Sequence, residues 1–336
     1  MTTLRGPAGH PGRVTLRPQT SGGPGGALIG VGAAQPSQVR TGDELGAPFG
    51  KDGAWIQART GIRELRRMAG DESLAELAIR AGQDAIKDAG ISGDEIDLVL
   101  VGSCSNGAPR PALAPQVAAE LAPHAVPSDI NAACSGFCFA LSCADSFIRT
   151  GTARTVLVIG AEHMSSLIDP ADLGTSIIFG DGAGAAVVQA TGPASDGPVL
   201  IGPVVWGSDG AQRELIAFDE VFMRMQGQAV FRWAVELVIG LVQQACARAG
   251  VELADIDVFV PHQANLRIVK AVVERVGLAH AVVAEDVGVS GNTSAASIPI
   301  ALTRLREAGA LVPGQLVLLA GFGAGLTYAA QVIRLP

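Results

Sequence analysis

Three side chains able to share one reaction stand at apparent element ends: Cys134 in Asn-Ala-Ala-Cys-Ser-Gly-Phe, His262 in Val-Pro-His-Gln-Ala-Asn-Leu-Arg, and Asn292 in Ser-Gly-Asn-Thr-Ser-Ala-Ala-Ser. The pattern around Cys134 predicts a strand over 126–132 and a helix over 135–149. A thiol at a helix N-terminus faces unpaired backbone N–H groups and the positive end of the helix dipole, which favour the thiolate and make it a nucleophile. His262 follows a buried apolar run and should stand at the C-terminal end of a strand, where open α/β folds place ligands. Taken singly, the histidine reads as a structural core residue and Asn292 as a helix N-cap. Nucleophile, imidazole and carboxamide together, each at an element end, argue for a site.

The elements that must position them come from an internal duplication. Gln83-Asp-Ala-Ile-Lys-Asp-Ala-Gly90 matches Gln243-Gln-Ala-Cys-Ala-Arg-Ala-Gly250 at an offset of 160 residues, and the same offset lays 96–101 on 256–261 and 156–159 on 316–319. Each copy reads as a helix, a glycine C-cap and a buried strand. Helix–Gly–strand units look alike in any α/β protein, but three segments in one register point to two similar βα halves with their functional loops meeting at the seam. In that frame Cys134 and Asn292 each open the matching helix of their own half. The Gly-rich segments Gly180-Asp-Gly-Ala-Gly-Ala-Ala-Val-Val188 and Gly321-Phe-Gly-Ala-Gly-Leu326 lack the spacing of a nucleotide phosphate loop, so tight turns and strand starts are expected there.

Composition limits the alternatives. A chain of 336 residues with 48% hydrophobic content can bury one large core or two fused domains, and 43 glycines with 4% aromatics suit a layered α/β protein. A net charge of −8 argues against broad attraction to nucleic acid or anionic membrane. The five cysteines, Cys104, Cys134, Cys138, Cys143 and Cys246, are odd in number and lie in apolar segments, which speaks for a reducing cytoplasm and against a disulfide framework or a metal site. Residues 1–26 read as a disordered leader without a secretory signal, and no later apolar run reads as long and uninterrupted enough to span a bilayer. A soluble protein is expected.

The strings Ala-Cys134-Ser-Gly-Phe, Ile-Phe-Gly-Asp181-Gly-Ala-Gly-Ala, Val-Pro-His262-Gln-Ala-Asn-Leu-Arg and Gly-Asn292-Thr-Ser-Ala-Ala-Ser resemble those of β-ketoacyl-acyl-carrier-protein synthase III, of the thiolase-like superfamily. The likeness runs from about Leu28 to Pro336, and 222–233 is especially similar to actinobacterial members. The resemblance implies an α/β thiolase-like fold of two βα halves in a layered αβαβα arrangement, with an N-terminal half over 27–195 carrying the cysteine and a C-terminal half over 196–336 carrying the histidine and asparagine. It also implies a catalytic triad of Cys134, His262 and Asn292. Cys134 would take an acyl group from acyl-CoA or another thioester, and malonyl carrier protein would then be decarboxylated and condensed to a 3-ketoacyl product. The backbone N–H groups of Cys134 and Ala324 would form the oxyanion hole.

Further roles are implied in the same way: Trp55 and Arg59 in coenzyme A binding, Phe231, Phe322 and Arg110 at the acyl pocket, and Arg232, Arg267 and Lys270 in docking an acidic carrier protein. Arg275 shares the helix of Arg267 and Lys270, with Glu274 among them, so a solvated face is the plain alternative. Phe322 stands where biosynthetic thiolases carry a second cysteine. No cofactor and no metal are expected, coenzyme A entering only as a thioester substrate, and the expected partner besides carrier protein is a second copy of the chain. Three departures stand out: Leu173 where the family commonly has an arginine against adenine, Arg110 where an apolar residue commonly reaches into the partner's acyl pocket, and a short 210–223 stretch. Two other functions remain open: acyl transfer to an alcohol or amine without condensation, which altered triads would favour, and a non-catalytic carrier-protein-binding subunit, which would need a damaged nucleophile.

Overall fold

The computed structural model describes residues 25–106, 111–192 and 200–336; nearly all of the expected leader, and Arg110, lie outside the described residues. The strands are β1 (Gly26–Ala34), β2 (Gln38–Thr41), β3 (Glu64–Arg67), β4 (Leu98–Gly102), β5 (Val126–Ile130), β6 (Thr155–Glu162), β7 (Gly182–Ala190), β8 (Val205–Ser208), β9 (Ile216–Phe218), β10 (Met223–Met225), β11 (Val258–Pro261), β12 (Val282–Val283), β13 (Leu316–Gly323) and β14 (Thr327–Arg334). The helices are α1 (Gly42–Gly46), α2 (Gly53–Thr60), α3 (Leu74–Ala89), α4 (Ala114–Leu121), α5 (Gly136–Arg149), α6 (Leu173–Ser176), α7 (Gly227–Ala249), α8 (Leu266–Val276), α9 (Val287–Ser290) and α10 (Ser297–Glu307).

Two five-stranded sheets repeat one topology, β1-β7-β6-β4-β5 and β8-β14-β13-β11-β12. In each, four strands run one way and the strand second from one edge, β7 or β14, runs antiparallel to both its neighbours. The local causes repeat as well. Helices α3 and α7 end on Gly90 and Gly250, at φ 68° and 74°, in the left-handed region that glycine enters without a Cβ penalty. A carboxylate before each buried strand then fixes the register: Asp97 accepts from Thr155 N–H at 3.0 Å, and Asp257 from Leu316 N–H at 2.8 Å. Those pairings set Val156 opposite Leu98 and Val317 opposite Val258. The ungapped match is therefore correct through β4 and β11 but slips by one residue at β6 and β13.

Helices α5 and α10 lie between the sheets. Their Phe137, Leu141, Ile298 and Leu302 share one core with Leu100 and Val158 of the first sheet and Val260 and Leu319 of the second. Fully burying each such side chain contributes roughly 1.5–3 kcal/mol. Helices α3 and α4 cover the outer face of the first sheet, and α7 and α8 that of the second, which completes the αβαβα layering. One sequence expectation needs correction: the 23-residue α7 is long and apolar enough to cross a bilayer. Its apolar side, including Trp233, Val238, Leu241 and Val242, is packed on the second sheet, so core packing accounts for its composition.

Candidate active site

Cys134 occupies a 3-10 turn, Ala133–Ser135, between β5 and α5. Ala133 takes φ 46°, an unusual conformation for a residue with a side chain, and the turn is held from the other half. The Ser135 hydroxyl donates to Ala132 C=O at 2.7 Å and lies 2.8 Å from the hydroxyl of Thr327 on β14. Gly323, closing β13, backs the thiol so closely that a Cβ there would come within 2.6 Å of Cys134 Cβ and 2.9 Å of its Sγ.

The expectation of a favoured thiolate is not met at rest. Burial pushes the Cys134 thiol from 9.0 up to about 11; the Ser294 hydroxyl and the backbone N–H groups of Ala324 and Cys134 act in the opposite direction, and the nearby Glu162 charge adds to the rise. Desolvation of the anion outweighs the helix-end donors. Asn292 is also not the positional twin of Cys134. The turn matching Ala133–Ser135 is Ser294–Ala296, where Ser294 repeats the positive φ at 48°, so Ala295 stands opposite Cys134 and Asn292 lies just ahead of the turn.

His262 leaves the end of β11, with its backbone N–H donating to Ala320 C=O at 2.7 Å. The ring is 2% exposed, its Nδ1 is 2.7 Å from Ser297 Oγ, and the Phe322 ring meets it edge-on at 5.3 Å. Burial lowers its pKa from 6.5 to about 3, so the ring is neutral at ordinary pH. Ser297 Oγ accepts from Gln263 N–H at 3.4 Å, and donation of the serine proton to Nδ1 puts the ring proton on Nε2. Asn292 Oδ1 accepts from Ser294 N–H at 2.9 Å, leaving its NH2 group as donor. Both donors belong to residues lining the same cavity as Cys134, a space of about 1100 Å³.

The cavity has two contrasting parts. One comprises Trp55, Arg59, Leu173, Phe231, Arg232 and Arg267, of which the three arginines are exposed and mark the mouth. The Arg59 guanidinium lies 4.4 Å from the Trp55 ring centroid and the Lys51 ammonium 5.1 Å, while Leu173 packs in the same apolar cluster as Trp55. The Arg267 guanidinium sits 5.7 Å from the Phe231 ring. Lys270 is exposed on α8 beside Arg267 but does not line the cavity. In the other, Met164, Leu167, Phe179, Ile216 and Met223, with Cys104, make an apolar wall. The β9–β10 hairpin that supplies part of it is pinned by Arg224, which reaches Asp219 at 2.7 Å and Asp169 at 3.0 Å.

Residues 128–210 match the sequence profile for 3-oxoacyl-[acyl-carrier-protein (ACP)] synthase III, and residues 246–335 match its C-terminal profile. A mycobacterial β-ketoacyl-[acyl-carrier-protein] synthase III from Mycobacterium marinum is 45% identical over 333 residues, covering 94% of this chain and 98% of the relative. The chain belongs to the 3-oxoacyl-[acyl-carrier-protein] synthase III family. It is a condensing enzyme with the thiolase-like fold. Another synthase III, from Streptomyces coelicolor, is 43% identical over 93% of this chain and 99% of its own length. Among solved structures, a priming β-ketosynthase of a polyketide biosynthetic pathway superposes with a TM-score of 0.88 at 40% identity, over 96% of this chain and 98% of its own. The synthase III of Aquifex aeolicus gives 0.87 at 37% identity, over 92% and 100%.

Several residues of this synthase III site were not singled out from sequence. Ser297 holds the histidine ring at Nδ1, Ser294 orients Asn292, and the apolar wall comes from segments distant in the chain. Glu162 is the most conspicuous. It is fully buried at the end of β6 and surrounded by Ser103, Cys104, Ser105 and Ser294. An acidic residue directly after the apolar run 156–161 was a usable signal, since a carboxylate is seldom buried without a reason.

Proposed function

We propose that the chain loads an acyl group from a thioester onto Cys134 and condenses it with malonyl carrier protein, releasing carbon dioxide and giving a 3-ketoacyl carrier protein. The observation that carries this reading is the convergence of a thiol and two oriented donors, His262 Nε2–H and Asn292 Nδ2–H, on one cavity. In the first step the sulfur attacks the thioester carbonyl, and the Cys134 and Ala324 N–H groups, both of which favour negative charge on that sulfur, hold the developing oxyanion. In the second step His262 and Asn292 donate to the malonyl thioester oxygen, and loss of carbon dioxide leaves an enolate held by those donors. The enolate carbon attacks the acyl-cysteine carbonyl and expels the Cys134 thiolate. A neutral histidine suits this task, because it donates a hydrogen bond without having to lose its proton. Phe322 packs against the imidazole where a second thiol would serve proton abstraction, and decarboxylation makes such a base unnecessary.

Substrate selection follows the two ends of the cavity. The apolar wall of Met164, Leu167, Phe179, Ile216 and Met223 takes the acyl chain. At the mouth, Arg232 and Arg267 meet phosphate and the acidic face of the carrier, with Lys270 extending that surface. Trp55 and Arg59 receive the nucleotide of coenzyme A when that is the donor. The names of the relatives, synthase III and priming ketosynthase, support a starting role in fatty-acid or polyketide assembly. No cofactor enters these steps. Free cysteines fit a cytoplasmic setting. The exposed edge strand β5, paired among the described residues only with β4, supports a homodimer that adds a second copy there. Purified protein given an acyl-CoA and malonyl carrier protein is expected to release carbon dioxide and form the 3-ketoacyl product; absence of both overturns the reading. Sedimentation checks the dimer.

A further inference from the structure

Glu162 is a carboxylate to which the condensation assigns no task. Among the described residues no Lys, Arg or His forms an ion pair with it. Its two oxygens reach into both halves. Oε2 holds the loop after β4, accepting from Ser105 Oγ at 2.6 Å, Ser105 N–H at 3.0 Å, Cys104 N–H at 3.1 Å and Ser103 Oγ at 3.3 Å. Oε1 holds the turn before α10, accepting from Ser294 Oγ at 2.9 Å and Ala295 N–H at 3.4 Å, and it also meets the Cys104 thiol at 3.3 Å.

That turn decides how Asn292 points. The backbone of Asn292 is tied to the first half, its N–H donating to Ile178 C=O at 2.9 Å and its C=O accepting from Gly180 N–H at 3.1 Å. Among the described residues its carboxamide has one hydrogen bond, from Ser294 N–H to Oδ1 at 2.9 Å. The two ends of a carboxamide have nearly the same shape, so this bond determines which end is left to donate. Ser294 makes it from φ 48°, a conformation that strains a residue with a Cβ, and the two bonds to Glu162 hold the turn there.

We propose that Glu162 is a positioning residue for decarboxylation: by clasping the Ser294 turn it keeps the NH2 group of Asn292 directed at the malonyl thioester oxygen. The inference rests on the reading of Asn292 as a donor to the enolate. Without the clasp the turn relaxes, Ser294 N–H leaves Oδ1, and the carboxamide is free to turn its oxygen toward the enolate, which that oxygen repels. A carboxylate suits the task because both of its oxygens accept. Glu162→Gln keeps the shape with one acceptor, and the fixed N–H groups of Cys104 and Ser105 claim it. An amide NH2 then faces the Ala295 N–H, and the clasp opens. The Ala133–Ser135 turn that carries Cys134 has no hydrogen bond to Glu162 among the described residues, so acyl loading lies outside this effect.

The test is carbon dioxide release from malonyl carrier protein by the full chain, given an acyl-CoA, in a double-mutant cycle of Glu162→Gln with Asn292→Ala. Acyl loading of Cys134, read by mass spectrometry in the same samples, shows that each variant is folded. With Asn292 present, Glu162→Gln lowers kcat for release about tenfold, as a misplaced donor does, and leaves KM for malonyl carrier protein unchanged. In the Asn292→Ala background the same change costs less than about twofold, because the group it steers is gone. Ser294→Ala loses only the hydroxyl arm of the clasp, and Ala133 shows that alanine fits such a turn. It lowers kcat about threefold, again only with Asn292 present, and it carries the test should Glu162→Gln not fold. A fall of equal size in both backgrounds, or none in either, overturns the positioning role. A wild type that takes the acyl group but releases no carbon dioxide overturns the condensation itself, and the role with it.

Discussion

Two turns of the same shape do different work. Ala133–Ser135 and Ser294–Ala296 each begin at a positive φ, run through one 3-10 turn and open the central helix of their half. Each is backed by the end of the other half's central strand. Behind Cys134 stands Gly323, which leaves the space the sulfur needs; behind Ala295 stands Glu162, at the matching position of β6, which fills that space with a carboxylate bonded to Ser294. The duplicated backbone thus offers the same pedestal twice. One copy was emptied to expose a nucleophile, and the other was filled to hold polar groups in place.

Removing what is unique to each pedestal tests that contrast. Cys134→Ala should abolish the acyl adduct seen by mass spectrometry and lower condensation by about 10⁴-fold or more. On the other pedestal, Asn292→Ala, and His262→Ala from the end of β11, should leave acylation of Cys134 intact while slowing carbon dioxide release by roughly 10²–10³-fold. Loss of acylation in all three would erase the distinction. Gly323→Ala places a methyl group against the sulfur; acylation should fall by about 10- to 100-fold from a misplaced thiol. Thermal unfolding should also show a loss of roughly 1–3 kcal/mol from overpacking.

The pH dependence of stability gives a gentler probe. His262 is neutral in the fold down to about 3 but titrates at 6.5 when exposed, so between those values the unfolded chain binds the extra proton. Its contribution is intact above pH 6.5 and declines as pH falls toward 3. Denaturant midpoints measured across that window should fall less steeply in His262→Gln than in the wild type. The smallest change is expected at the mouth, where Leu173→Arg should lower KM for acyl-CoA a few-fold, by roughly 1 kcal/mol, with kcat unchanged.

The duplicated fold was legible because helix, glycine cap and apolar strand recur in one order, each with a local physical cause. The register of β6 and β13 was not, since one extra residue leaves an apolar run looking the same when displaced by one. Cys134, His262 and Asn292 could be read as a group because each closes or opens an element. What was missed joins distant segments: Glu162 meets Ser294 across 132 residues, and Ser297 reaches His262 across 35, and neither spacing carries a periodicity. The thiolate expectation failed for a related reason. Helix-end donors are local to the sequence, while the burial that outweighs them is a property of the assembled halves.

Two cations, Arg59 and Lys51, rest on Trp55, and on the proposed reading that makes the mouth an exchange site. On the proposed reading, a planar ring that stacks on the face Arg59 covers displaces that guanidinium, which is then free to meet a phosphate. A thioester carried on a bare pantetheine arm brings no ring to trade, and Arg59 can stay where it is. If Trp55 receives the nucleotide as proposed, with Leu173 as an apolar neighbour, the doorway tells nucleotide-borne from protein-borne donors before the acyl group reaches the sulfur.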